Sequence, residues 1–292
     1  MLILFLISLL FISIGNPIAL AQSQTKTIVV LTGRISYLGD DVPPGFVLKY
    51  HSDFENVTKL DEHHLEMDIK NYFEFGTSSN ASMWMEGLDR ITNEVTPHSG
   101  SRCVGMEVVN GYRNEFNIGD MLKLVGNEFF ISVWLYLPGD WAAHQSDNWY
   151  SLCDTFMADG TATPVAYYPY NEVYIHQTNV GSASPDFEIS TNIRDNVGLG
   201  QYIIPIGLDI QHFQLPRGQW FNLKYYVNCD VSNGTLKIWI DNALICNSSN
   251  VKTQNANEPA FFSTIAKIYH DPSDTYSGYK LWVDDLEIYG VQ

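Results

Sequence analysis

The sequence predicts an all-β fold, a two-sheet antiparallel β-sandwich, and three observations carry that prediction. Residues 128–137, EFFISVWLYL, set Phe129, Ile131, Val133, Leu135 and Leu137 on one face and Phe130, Ser132, Trp134 and Tyr136 on the other. Residues 220–246 read as an antiparallel meander, with Phe221, Leu223, Tyr225 and Val227 sharing an apolar face with Leu236, Ile238 and Ile240. No segment longer than about ten residues shows a good helical period.

Taken in order, residues 27–31 form a short β-branched strand, and the Pro43-Pro44-Gly45 loop leads into a strand over 46–50. Residues 72–75 form another. Residues 103–109 follow, with Val104, Met106 and Val108 on one side, and then 112–116, where Arg113 and Glu115 share a face. After Pro138-Gly139 the chain reads as turn-rich and aromatic, with Trp141 and Trp149 in loops, and with 187–190 and 202–206 as further strands. In the meander, Asn233-Gly234 is the tight-turn signal, which sets Val227 across from Ile240 and Cys229 across from Ile238. Asp241-Asn242 gives a second turn and a third strand over 243–245. Residues 261–269 form a strand, and the closing KLWVDDLEIY (280–289) slips its alternation at Asp284-Asp285, as a β-bulge does.

The 292 residues suffice for one sizeable core, and no repeat or low-complexity linker divides them. Residues 1–21 read as a signal peptide, an apolar run followed by Ala19-Leu20-Ala21, leaving one domain over 22–292 that is secreted or at the cell surface, with no membrane span after cleavage. Lysine and arginine number 16 against 33 acids, a net charge of −17, which makes nucleic acid and anionic membrane poor partners. In an exported chain, sequons at Asn56, Asn80, Asn233 and Asn247 permit glycosylation. The meander keeps Cys229 and Cys246 too far apart for a disulfide. Cys103 with Cys153 is the one pairing considered, beside free buried thiols.

The ordered motifs SDFEN (52–56), PHSGSRCVGMEV (97–108), YRNEF (112–116), EFFISVWLYLPGDW (128–141), RGQWFNLKYYV (217–227), NGTLKIWIDN (233–242) and KLWVDDLEIYG (280–290) resemble the polysaccharide-lyase-like families of the concanavalin A-like jelly roll, which include alginate, glucuronan and heparin lyases. Several are shared with non-catalytic carbohydrate-binding modules, so a lyase and a lectin-like or surface adhesion module both stay open. In such lyases a Tyr or His abstracts the proton α to a uronate carboxylate whose charge a polar or basic group offsets. The resemblance implies Arg113, with Glu115 beside it, and Tyr269 in AKIYH for this chemistry. Where many relatives carry Gln-x-His, this chain has Cys153-Asp154, and His176 in YIHQ is the candidate substitute. The resemblance also implies a structural calcium at Glu55 and Asp284, with Asp53 or Asp285 beside them. Trp134, Tyr136, Trp141, Trp149, Tyr226 and Trp239 are the candidates to stack on the sugar rings of a polysaccharide.

Overall fold

The computed structural model describes residues 28–31, 34–37, 42–55, 73–75, 87–108, 113–118, 125–141, 149–157, 170–178, 186–194, 202–203, 213–214, 216–251, 253, 260–270 and 279–292. The 1–21 leader, Asn56, Asn80 and the loop expected after His270 lie outside these residues. The chain divides into two units, Met1–Asp41 and Val42–Gln292. In the first, Ile28–Leu31 (β1) pairs antiparallel with Arg34–Tyr37 (β2).

The second unit is an antiparallel two-sheet sandwich. Its first sheet runs Tyr202–Ile203 (β12), Asp186–Arg194 (β11), Tyr170–Thr178 (β10), Trp149–Met157 (β9), Ala260–His270 (β17), Arg113–Ile118 (β7) and Phe73–Phe75 (β4), with Phe213–Gln214 (β13) also on β11. The second runs Ala243–Val251 (β16), Gly234–Ile240 (β15), Trp220–Asn228 (β14), Glu128–Tyr136 (β8), Lys280–Val291 (β18), Cys103–Val108 (β6) and Gly87–Thr92 (β5). Phe46–Ser52 (β3) pairs with the second half of β18, so a strand from the start of this unit closes against the last one. Strand β17 lies over β6, β8 and β18, and Ala266 at its centre is fully buried.

The core follows the alternation of the second sheet. Phe129, Ile131, Val133 and Leu135 of β8 meet Phe221, Leu223, Tyr225 and Val227 of β14, and Leu236, Ile238 and Ile240 of β15 extend the buried face. Burying these side chains is the main stabilising contribution, at about 1.5–3 kcal/mol for each large apolar group.

The meander departs from the expected register. Val227 pairs with Leu236 and Leu223 with Ile240, four residues away from the pairing that a turn at Asn233-Gly234 would give. Residues 229–233 form a longer loop instead. Asp230 Oδ1 accepts the backbone N–H groups of Ser232 (2.8 Å) and Asn233 (2.7 Å). Thr253 clamps the loop end, accepting from Asp230 N (2.9 Å) and donating to the Asn228 carbonyl (2.6 Å). These side chains satisfy donors that the tight turn would otherwise have had to pair. Because the slip is even, every side chain keeps its predicted face.

The second turn holds as expected. Asp241 (φ 49°) and Asn242 (φ 72°) are both left-handed between paired Ile240 and Ala243, the geometry of a type I′ turn. The bulge in β18 is also present. Asp284 pairs with Trp134 and Glu287 with Ser132, leaving one extra residue on β18, and Asp285 has φ 42°.

Two expectations are corrected. Cys103 is a free, buried thiol on β6, whereas Cys153 is on β9 of the other sheet, so the Cys103–Cys153 disulfide is not formed. The Cys103 Sγ donates to the Thr92 carbonyl at 3.6 Å, and burial pushes the thiol up to about 12. Cys229 and Cys246 are likewise free and buried. The stretch read as turn-rich contains two nine-residue strands, β9 and β10, and Trp149 opens the first of them.

Asn242→Val forces a β-branched residue into the left-handed region and should cost about 1–2 kcal/mol, seen as a lower melting temperature, whereas Asn242→Gly should lose clearly less. Equal losses would show that φ at this turn does not matter.

Candidate functional site

Three strands of the first sheet carry the residues expected to do chemistry. Tyr269 on β17 stands directly across from Arg113 on β7 and, on its other side, from Ser151 on β9. Ser151 is opposite Tyr174 on β10, and two residues further along His176 is opposite Trp149. Glu115 faces Lys267 in the next row. No register break separates Tyr174 from His176 along β10, or Lys267 from Tyr269 in the β17–β7 pair, so these eight positions fall on one face by register, although β17 shifts against β9 between Thr264 and Tyr269. Ala266, across from Phe116, alternates to the other face and is fully buried. By register the Arg113 row is on the face opposite to Ala266. Strand spacing puts the His176 and Tyr269 backbones about 12 Å apart.

A guanidinium suits a planar carboxylate and a phenol or imidazole can move a proton, so this face groups the residue types that proton abstraction beside a uronate needs. Sequence reasoning missed Ser151 because a bulge in β9 breaks the alternation that would have revealed that strand, and Tyr174 because its position across from Ser151 is set by pairing with β9.

A second constellation sits where β3 ends beside β18. Glu55 does not reach across to Asp284; it closes on the loop preceding β6. Its Oε1 accepts from Ser101 N (2.7 Å) and Arg102 N (2.8 Å), and its Oε2 from Ser101 Oγ (2.7 Å). The Arg102 guanidinium donates back to the Glu55 carbonyl. The Ser101 hydrogen bonds hold the Glu55 carboxyl below its usual range. Gly100 (φ +62°) passes so close to that carboxyl that a Cβ would overlap it.

Asp284 is fully buried and accepts from Ser99 N (3.1 Å) and Asp285 N (2.9 Å). Burial pushes its carboxyl up to about 7. Asp285 receives Ser99 Oγ at 2.7 Å, and its Oδ2 lies 2.5 Å from His98 Nδ1. Burial would raise Asp285 too, but the His98 and Ser99 hydrogen bonds outweigh it and the carboxyl ends below its ordinary value. His98 stacks on Trp134 (centroids 3.7 Å, 16° between planes). His98 and Ser99, in the motif PHSG, are thus the partners of the bulge, a role that sequence reasoning did not assign. Among the described residues no group of three or more His, Cys, Asp or Glu side chains is arranged to hold a metal.

The candidate sugar-stacking residues divide between locations. Trp149 belongs to the first sheet, while Trp134, Tyr136, Tyr226 and Trp239 lie on the outward face of the second. Trp141 is buried at 5% exposure, tilted against Tyr279, which leaves its ring no open face of the kind expected. Tyr136 packs edge-on between Trp220 (5.5 Å) and Trp282 (5.6 Å). The Tyr226 hydroxyl lies 2.5 Å from Glu128 Oε1, and burial together with that bond pushes its pKa up.

No family model and no curated protein matches the chain. Among solved structures it is similar to an endo-β-1,4-glucuronan lyase from the fungus Trichoderma reesei, at 13% identity and a TM-score of 0.49, over 84% of this chain and 96% of that one. The cellulose-induced protein Cip1 is similar at 16% identity and a TM-score of 0.47, over 82% and 96% of the two chains. An alginate lyase from a Chlorella virus is similar at 12% identity and a TM-score of 0.44, over 70% and 91%. Among the described residues no helix is long and apolar enough to cross a membrane.

Asp285→Ala removes two side-chain partners of the loop and should destabilise the fold by about 1–3 kcal/mol in urea unfolding; wild-type stability would refute the link. Asp284 gives a pH dependence of definite sign. Its folded pKa, about 7, exceeds the ordinary carboxylate value of about 3.9, so its contribution is full below that value and is lost as pH rises through the folded one. In calcium-free buffer the wild-type melting temperature should fall more steeply than that of Asp284→Asn between about pH 5 and about pH 8. Parallel curves would contradict this.

Proposed function

We propose that the protein is exported, engages a uronate-containing polysaccharide on the outward face of its first sheet, and cleaves it by β-elimination. The observation that supports this reading is the register that sets Tyr269 across from Arg113, with His176 on the same face two strands away. In this reading Arg113 offsets the charge of the sugar carboxylate, which makes the proton on the adjacent carbon acidic enough to leave. His176 or Tyr269 takes that proton as base. The electron pair forms a carbon–carbon double bond as the bond to the β oxygen breaks, and a Tyr269 hydroxyl in the acid role protonates the departing oxygen. Trp149 and Tyr174 flank the row and would stack on neighbouring sugar rings.

We also propose that the β3–β18 junction binds Ca2+. Asp284 supports it as a fully buried carboxylate with hard oxygens whose partners are backbone N–H groups; Glu55, committed to Ser101 and Arg102, would have to give up those bonds to join it. Calcium there would supply the positive charge that holds the first and last strands of the unit together. Adding calcium in place of a chelator should raise the melting temperature most at neutral to alkaline pH, where Asp284 would otherwise be ionised without a cation. An identical melt in both buffers would remove calcium from the account.

The reading of catalysis is tested by ultraviolet absorbance of the unsaturated uronide released from alginate, glucuronan and heparin-like polymers. Activity on at least one is expected, with Arg113→Ala and Tyr269→Phe each lowering it by about a hundredfold or more, the usual range for a lost acid–base group. No absorbance rise on any polymer, with binding retained, would favour a lectin-like module, a reading that the aromatic face of the second sheet also supports.

A further inference from the structure

The outward face of the second sheet has a chemistry of its own near the β16 edge. One row crosses Lys224 on β14, Trp239 on β15 and Leu244 on β16; the next crosses Tyr226, Lys237 and Asn247. Trp239 is half-buried, its ring tilted against Phe130 at 5.9 Å. Lys237 Nζ lies 5.8 Å from the centroid of the Tyr226 ring, and the Lys224 ammonium donates to Asn242 Oδ1. Leu244 and Asn247 are exposed.

The charge of this area runs against the rest of the chain. Acids outnumber bases 33 to 16 overall, yet β14, β15 and β16 contain two lysines and no aspartate or glutamate. Three acids border the area, and one of them, Glu287, interacts with the Lys224 charge. Glu128 bonds the Tyr226 hydroxyl, and Glu287, whose pKa burial raises, bonds Tyr289. Asp241 accepts Asn222 N from the turn. In a molecule that repels anions, a ring flanked by two ammonium groups and side-chain amides is complementary to a sugar bearing a carboxylate: the apolar face of the pyranose stacks on the indole while the ammoniums take the charge.

We propose that Trp239, Lys224 and Lys237 form a second, non-catalytic binding surface for an acidic polysaccharide, on the sheet opposite the one that carries Arg113 and Tyr269. The occupant is a polyuronate chain, held by stacking and by charge. This rests on the proposed function only for the class of polymer, because binding here needs no turnover. The two surfaces belong to different sheets, so one protein can hold a polymer on one side while the other engages a separate stretch of it.

The test is affinity electrophoresis of the full chain through gels containing polyglucuronate, alginate or a neutral glucan, in a Tyr269→Phe background that leaves the polymer intact. Trp239→Ala and the double variant Lys224→Ala/Lys237→Ala should each weaken retention by an acidic polymer about tenfold, equivalent to about 1.4 kcal/mol. Retention of the lysine variant should be less sensitive to salt than retention of Trp239→Ala. Trp239→Phe should recover part of the loss, and since the lysines are on the surface, their variant reports on binding if Trp239→Ala fails to fold. Retention of both variants at the level of the parent would overturn the proposal, as would equal retention by the neutral glucan. If Tyr269→Phe abolishes uronide release while the lysine variant binds like the parent, the lyase reading stands and this surface falls. If no variant or parent releases uronide but the lysines govern retention, the reverse holds.

Discussion

The second unit depends on one seam, the bulged strand β18 and the carboxylates it presents. Strand β18 pairs with β8 on one side and with β6 and then β3 on the other, so it carries the hydrogen bonding of the sheet from the start of the unit to its end. At the bulge Asp284 and Asp285 both bond Ser99 of the loop before β6, while Glu55, just after β3, grips the same loop at Ser101 and Arg102. A buried carboxylate is tolerated only where hydrogen bonds or a cation satisfy it. Two backbone N–H groups do so for Asp284, and the cost still shows in its raised pKa.

That loop connects the seam to the outward aromatic face. Thr96 accepts the Trp220 indole N–H at 2.7 Å, and His98 covers Trp134 while its Nδ1 lies against Asp285. Aromatic groups that look like free sugar platforms from alternation alone are thus partly committed to holding the loop. Further toward the β16 edge nothing of this loop contacts Trp239 among the described interactions, and the lysines surround it.

Much of the architecture was legible in the sequence, for identifiable reasons. EFFISVWLYL alternates without interruption because β8 is central in its sheet and sets Phe129, Ile131, Val133 and Leu135 in the core. The bulge was visible as a slip in period, since an extra residue shifts every later side chain by one place. The turn at Asp241-Asn242 was legible because few residues tolerate two consecutive positive φ values. Asn233-Gly234 carried the same local signal, but side chains distant in sequence, Thr253 above all, made the longer loop the better satisfied one. The site was less legible. Strand β9 looked like a loop because a bulge disrupts its period, and the separation of the aromatic residues onto two sheets and a buried interior had no local signature.

By itself the sequence determined the fold class, the faces of the β8 and meander strands, the bulge and the acidic balance, because each is a property of neighbours along the chain: alternation, turn chemistry and composition. Only the tertiary structure decided that Tyr269 stands across from Arg113, that Glu55 bonds a loop and not a partner carboxylate, that Cys103 stays reduced, and that Trp141 is sealed inside. Those outcomes follow from strand pairing and sheet packing between residues far apart in the chain, where the choice among alternatives rests on burial and on which hydrogen bonds are satisfied.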